Sequence, residues 1–322
     1  MVDHLPRSSL LRIVLSSIPF TLATYGGEAA AQSQRGFYYA TSIGVASGAS
    51  TVAHLTGVNH PTRCDRLLYA DPNDAPTDPA CRSTETSLDF VFTFEPEGGL
   101  GGNAVVGYGF GALALELEVA QRHQIVHEAP LTLGAGAGAA ITGKDTEWST
   151  GLPPWGDLSE FRGRQLFANA HYRLANGSRF IPYLGIGGGL TLTDYRFYLG
   201  LLRKSIAEGY LEVFGGSRQN PEASPEWQRR AAGSLSQLDA KVSETGIGFQ
   251  VLGGIEVGYS ERVSFDLRAR WVHVPEVDID QRWLTIRSHA PVYSDGTTPF
   301  VSQINFSKLG YIGVTAGLLF RP

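Results

Sequence analysis

Between Gly246 and Trp271 the chain reads GIGFQVLGGIEVGYSERVSFDLRARW, and apolar and polar positions alternate almost without a break. Ile247, Phe249, Val251, Ile255, Val257 and Tyr259 share one parity; Gly248, Gln250, Gly254, Glu256 and Gly258 share the other. Past Ser260-Glu261 the alternation resumes, with Val263, Phe265, Leu267, Ala269 and Trp271 set against Ser264, Asp266, Arg268 and Arg270. Successive side chains of a strand point to opposite faces, so the pattern predicts two strands, about 246–258 and 262–274, each with one apolar and one polar face. A soluble sandwich alternates too. Here, however, the polar face mixes glycine with carboxylates and guanidinium groups, and aromatics gather near the ends of the apolar face. That combination fits a barrel whose outer face meets lipid and whose inner face lines a small lumen.

The same reading gives six more strands, at about 37–46, 103–110, 112–121, 164–174, 180–192 and 310–320. Long connections follow the first, third, fifth and seventh strands; short ones at Gly111, Ala175–Ser178 and Ser260-Glu261 follow the second, fourth and sixth. This ordering predicts an all-β fold: an eight-stranded antiparallel up-and-down transmembrane β-barrel with short periplasmic turns and four long extracellular loops. Within the long connections, Leu88 to Phe94 (LDFVFTF) is expected to carry the next strand beyond the bilayer. Ser224-Pro225-Glu226 is expected to open a helix running to about Lys241, with Ser224 as its N-cap.

The inward parity collects charge. Glu116, Glu118 and Glu256 are expected to face Arg173, Arg268 and Arg270, with Asp266, Gln250, Asn169 and His171 between them. Buried charges must be paired, and an eight-stranded interior is just filled by side chains, so the set reads as a salt-bridge plug. A gated ion path is the sharper alternative. Phe37, Tyr39, Tyr108, Phe110, Tyr172, Tyr259, Phe265 and Phe320 fall near the short turns, as an inner aromatic girdle would; Trp271 falls near the opposite rim.

Composition agrees. The chain has 322 residues, 39 of them glycine, with only 18% charged residues and one methionine, which suits strands and turns better than helices. No run of 18 apolar residues occurs, so a transmembrane helix is not expected. A mean hydropathy of -0.07 is compatible with transmembrane strands, which need only about ten residues each. The net charge of -5 and the lack of a basic cluster argue against a nucleic-acid partner. Arg7 and Arg12, the apolar Ile13 to Ala23, and Ala29-Ala30-Ala31 form the three regions of a secretory signal, placing residues 1–31 in a signal peptide and 32–322 in the barrel. The two cysteines, Cys64 and Cys81, lie in the first long connection; in an exported chain they are expected to form one local disulfide.

Other chemistry finds little support. Gly134-Ala135-Gly136-Ala137-Gly138 lacks the βαβ context and the distant acidic residue of a dinucleotide loop. No GxSxG or HExxH occurs. His273, His289, Asp278 and Asp280 are the candidates for hydrolytic chemistry near the fourth loop, but their spacing brings no nucleophile to a base. Asp278 and Asp280 with Glu276 could hold a divalent cation, but no complete oxygen-ligand loop pattern is present and a solvated acidic loop explains them better. No catalytic residue, metal or cofactor is expected.

With the strands in place, the chain resembles the OmpA-type and opacity-protein-like eight-stranded outer-membrane barrels. The stretches that carry the resemblance are GFYYATSIGVA, GYGF followed by LALELEVAQR, LFANAHYRL, IPYLGIGGGL, FQVLGGIEVGYSERVSFDLRARW and YIGVTAGLLF. The resemblance implies a multi-pass protein of the Gram-negative outer membrane. It also implies contact with outer-membrane lipid and lipopolysaccharide, insertion by the outer-membrane assembly machinery, and no fixed activity, since the family includes surface antigens, adhesins and small pores. The expectation is a non-enzymatic surface protein whose loops contact a host or envelope ligand. A small passive channel and a lipid-modifying or proteolytic enzyme are the alternatives. Two departures stand out. The sequence ends Phe320-Arg321-Pro322 rather than on the aromatic, and a wall-anchoring role through a peptidoglycan-binding domain is not expected.

Overall fold

The computed structural model describes residues 35–59, 87–95, 98–124, 128–137, 155–174, 178–202, 235–286, 291–293 and 297–322. The signal segment, Cys64, Cys81, Gly138, His289 and Ser224 lie outside these residues. No helix occurs among the described residues.

Thirteen strands form one antiparallel system: β1 (Arg35–Gly48), β2 (Thr51–Gly57), β3 (Leu88–Phe94), β4 (Gly98–Phe110), β5 (Leu113–Gln124), β6 (Glu128–Leu133), β7 (Trp155–Arg173), β8 (Phe180–Leu202), β9 (Leu235–Gly258), β10 (Val263–His273), β11 (Val277–Thr285), β12 (Val301–Ser307) and β13 (Tyr311–Phe320). Their pairings close into two rings. The lower runs β10-β13-β1-β4-β5-β7-β8-β9 and back to β10. The upper runs β11-β12-β2-β3-β6-β7-β8-β9 and back to β11. The two orders correspond one to one. β7, β8 and β9 run through both rings, while β1/β2, β4/β3, β5/β6, β10/β11 and β13/β12 are each broken at one level, the waist. The molecule is thus an eight-stranded up-and-down barrel with a second storey on top.

All eight expected strands are present in the lower ring, and both β1 and β13 have their outer ends at the bottom with the short turns. Three expectations for the long connections need correction or extension. Segments 51–57, 128–133, 277–285 and 301–307 are strands rather than loop, and they, with 88–94, raise the count from eight to thirteen. LDFVFTF is such a strand: β3 pairs with β2 and β6 and stands above β4 in the wall. The helix expected to reach Lys241 is not formed where it can be seen, because 235–241 belong to β9. Leu238, Ala240 and Val242 are buried there, and Gln237, Asp239 and Lys241 pair along β8. A two-residue period and a full row of cross-strand partners outweigh an N-cap signal. Asp278 and Asp280 likewise lie on a strand, β11, not in a loop.

The face polarity inverts at the waist. Along β8 the outward positions run Leu184, Ile186, Leu190, Leu192 and then Asp194, Arg196, Tyr198. Its inward positions run Tyr183, Gly185, Gly187, Gly189, Thr191, Thr193 and then Tyr195, Phe197, Leu199, Leu201. Parity is unbroken while the chemistry of the two faces is exchanged. β9 does the same: outward Gln237, Asp239, Lys241, Ser243 and Thr245 give way to Ile247, Phe249, Val251, Ile255 and Val257. On β7 the change comes between Arg164 and Leu166, below a bulge in which Glu160 takes φ 56° and the register with β8 shifts between Ser159 and Arg162.

The lower storey therefore wears an apolar collar and encloses polar groups. Ile247 to Val257 spans ten residue steps, about 33 Å of strand and about 25 Å along the axis at a tilt near 40°. The upper storey encloses an apolar core instead. Phe197 sits at its centre, with ring centroids 5.7 Å from Phe92, 6.3 Å from Phe94 and 5.4 Å from Phe306. Leu55, Phe90, Leu158, Leu238, Phe300 and Ile304 are fully buried around it.

Candidate functional site in the barrel interior

The inward parity of β5, β7, β9 and β10 brings the sequence-predicted residues into one network across the lower lumen. Glu116 and Glu118 are consecutive inward positions of β5. Arg268 and Arg270 are consecutive inward positions of β10, on the other side of the ring. Arg268 donates from both terminal nitrogens to Glu116, at 3.0 and 3.1 Å, a bidentate contact. Arg270 donates to Glu118. Asn169, from β7, donates to Glu118 at 2.8 Å, and Gln250, from β9, donates to Glu118 at 2.9 Å and to the Asn169 carbonyl at 2.8 Å. Glu118 is thus wrapped by four donors and is 1% exposed. His171 brings Nδ1 within 3.7 Å of Glu116 without a hydrogen bond.

A lower layer gathers the rest. Asp266 accepts a hydrogen bond from the Tyr183 hydroxyl at 2.7 Å, and Arg268 Nε donates to that hydroxyl at 2.9 Å. Glu256 sits 4.0 Å from Arg173 Nε. Its closer partner is Arg321, which also donates to Ser264 at 2.9 Å. Arg321 lies past the last strand and was not among the expected site residues; its place beyond the terminal Phe320 gave it no face. Besides Tyr183 and Arg321, the structure adds Tyr38, Ser42, Asn103 and Arg122. Tyr38 donates to Glu116 at 3.0 Å, and Asn103 donates to Glu118 and accepts from Ser42. Arg122 continues the inward row of Glu116 and Glu118, one step past the expected end of that strand. Tyr38, Ser42 and Asn103 share the inward parity but carry no formal charge, so a charge-based reading passes over them.

The arrangement can hold charge in a low-dielectric interior. Every carboxylate is engaged by at least one donor, which is the condition for burying such groups at all. Above the network, Tyr311 donates to Gln165 at 2.8 Å, and the aromatic core of the upper storey follows.

Of the residues considered for hydrolysis, His289 lies outside the described residues, and the others are split between the end of β10 (His273) and β11 (Asp278 and Asp280). His273 points outward at the top of β10, its ring 4.7 Å from Phe249 and 6.4 Å from Trp271. Asp278 accepts from Asn305 at 2.9 Å, and Glu276 lies 3.4 Å from the same amide. No group of three or more metal-ligating side chains is found among the described residues. The glycine-rich run has a structural use. Gly136 N–H donates to Asp89 at 2.6 Å, His54 contacts the other carboxylate oxygen at 2.6 Å, and a Cβ on Gly134 would lie 2.0 Å from Asp89. The turn closes over a carboxylate on the outside of the upper storey.

No protein-family profile and no curated sequence matches the chain. Solved structures do. Neisserial surface protein A (NspA) aligns over 89% of this chain and 97% of its own, at 12% identity and a TM-score of 0.31. The outer membrane protein OprG from Pseudomonas aeruginosa aligns over 89% and 98%, at 10% identity and a TM-score of 0.40. The outer membrane protease OmpT from Escherichia coli aligns over 90% and 97%, at 7% identity and a TM-score of 0.38. With scores below 0.5, the fold assignment rests on the strand pairings and the polarity of the two faces.

Proposed function

We propose that the protein spans the outer membrane of a Gram-negative cell as a closed barrel and acts as a rigid, non-enzymatic surface scaffold. Its four apical loops make the functional contacts, with a host surface or with other envelope components. The inversion of face polarity at a single level supports this. Only a wall that passes from hydrocarbon to water needs an apolar exterior below and a polar exterior with an apolar core above. A collar about 25 Å tall matches the apolar band of such barrels. Aromatic pairs at its lower edge (Phe37 with Tyr108 at 4.9 Å, Tyr259 with Phe265 at 6.0 Å) and Phe249 with Trp271 at 5.5 Å at its upper edge suit the two interfaces. The lower network serves as a plug, and the upper storey lifts the loops clear of the lipid headgroups. Lipid and lipopolysaccharide surround the collar, and the assembly machinery inserts it. Residues 1–31 direct export, and Cys64–Cys81 pins the first loop.

Fractionation with gel migration tests the location. The protein is expected in the outer-membrane fraction, with unheated and boiled samples migrating differently; a soluble periplasmic protein with identical migration overturns the reading. Replacing 203–234 by a short Gly-Ser turn tests the loop role. Cell-surface binding should fall while heat-modifiable migration persists, and unchanged binding by every such loop replacement rejects the scaffold role.

A further inference from the structure

We propose that the lumen binds a single monoatomic anion, of chloride size, between Arg122 and Arg270. Both guanidinium groups lie inside the barrel wall just beneath the waist, 4% and 5% exposed. They line one cavity of about 20 Å³ together with Thr315 and the small residues Gly44, Gly101 and Gly313. Four buried polar atoms of these residues have no hydrogen-bond partner: Arg122 Nε, Arg270 Nε, one terminal nitrogen of Arg270, and the Thr315 hydroxyl. All four can donate, so what is missing is an acceptor.

Charge makes the same demand. In the lower lumen five guanidinium groups (Arg122, Arg173, Arg268, Arg270 and Arg321) face four carboxylates (Glu116, Glu118, Glu256 and Asp266). Arg270, Arg268 and Arg321 each contact a carboxylate within 3.0 Å, and Arg173 reaches Glu256 at 4.0 Å. Arg122 reaches none among the described residues. It donates to the neutral Gln124 side chain at 3.2 Å and to the Leu309 carbonyl at 2.9 Å, and its guanidinium carbon lies 4.1 Å from the Tyr311 ring centroid and 4.8 Å from that of Phe161. Those rings favour a cation but supply no negative charge. An uncompensated buried guanidinium is costly, and a counter-ion removes the cost.

Size selects the ion. The space beside the two guanidinium groups is about 20 Å³, a little more than the roughly 10–15 Å³ that one water needs, which suits one atom-sized occupant. A water would accept some of the hydrogen bonds and leave the charge unbalanced.

The test uses the folded full chain in detergent, with sodium chloride exchanged for sodium gluconate at constant ionic strength and pH. The unfolding temperature should rise saturably with chloride or bromide. Crystals grown in bromide should show an anomalous peak between Arg122 and Arg270. Arg122→Gln should raise the half-saturating chloride by at least about tenfold. A halide-independent unfolding temperature with no bromide peak in the lumen means a water occupies the cavity and overturns the proposal. So does an Arg122→Gln protein that keeps the full halide response, since the ion then binds elsewhere. If that variant fails to fold, the bromide map of the unaltered protein decides alone.

Discussion

At the residue scale the lower lumen is a set of buried charges whose value depends on their being complete. Glu116 receives two bonds from Arg268 and one from Tyr38, and neither partner has access to water. Removing one member of such a pair strands the other in a low-dielectric interior, which costs about 3–5 kcal/mol, whereas replacing both by apolar groups is nearly neutral. Arg268→Met is therefore expected to lower the unfolding free energy in detergent by about that amount. Adding Glu116→Leu should recover most of the loss. A double variant no more stable than Arg268→Met would show that the pair is not the unit. These residues were legible because parity alone sends them inward. Arg122 shares their parity but was placed beyond the strand, because the alternation LALELEVAQ loses contrast at Gln121 and Arg122, where the outer face turns polar. Arg321 was missed for a similar reason: a residue outside any strand has no face to read.

At the element scale the long strands β7, β8 and β9 carry the barrel past the waist, and the five breaks elsewhere mark where the chain exchanges its faces. The lower eight strands could be read from the sequence because lipid demands a continuous apolar stripe on each. Of the upper storey only LDFVFTF stood out, because the other apolar residues there sit on the opposite parity and four of the five added strands lie in polar surroundings. LSQLDAKV then looks like a capped helix until its neighbours on β8 are known. The upper storey gives two predictions. Phe197→Ala opens a cavity among Phe92, Phe94 and Phe306 and should cost about 3–5 kcal/mol. Hydrogen exchange should quicken at Leu55, Phe90 and Leu238 before it does at Glu116 or Ala168; uniform acceleration would mean the storeys unfold as one. The second concerns pH. Hydrogen bonds and charge from Arg196 hold the Asp239 carboxyl below the usual range against some opposing burial. For Asp194, partial burial pushes upward but the bonds from Ser243 and Arg164 outweigh it. A depressed carboxyl contributes stability above its unfolded pKa, about 3.9, and loses it as pH falls through the lower folded value. The unfolding temperature should be flat from about pH 7 to 5 and decline below about 4. Asp239→Asn should remove part of that decline, and an unchanged pH profile in the variant would assign the decline to other groups.

At the scale of the whole molecule, in the proposed scaffold the two storeys close the axis in series, by unlike means. The lower closure is polar: opposed carboxylates and guanidinium groups on β5 and β10 meet across the lumen and tie in β7 and β9 through the side-chain amides of Asn169 and Gln250. The upper closure is apolar: Phe92, Phe94, Phe197 and Phe306 leave an interior that an ion has no reason to enter. Current through two barriers in series is limited by the higher one. Opening either alone should therefore leave the barrel silent. Glu118→Ala with Arg270→Ala removes the central polar contact but leaves the aromatic core intact. Phe92→Gly with Phe197→Gly hollows the core but leaves the charged lattice below. In planar bilayers the unaltered protein and each of these variants are expected to show no unitary currents, while the fourfold variant should conduct, provided each still migrates as a heat-modifiable barrel. Reproducible channels from the unaltered protein would reject the closed-scaffold reading. Conduction by the Glu118/Arg270 variant alone would show that the upper storey admits ions, and would move the barrier, and with it any gate, into the charged network.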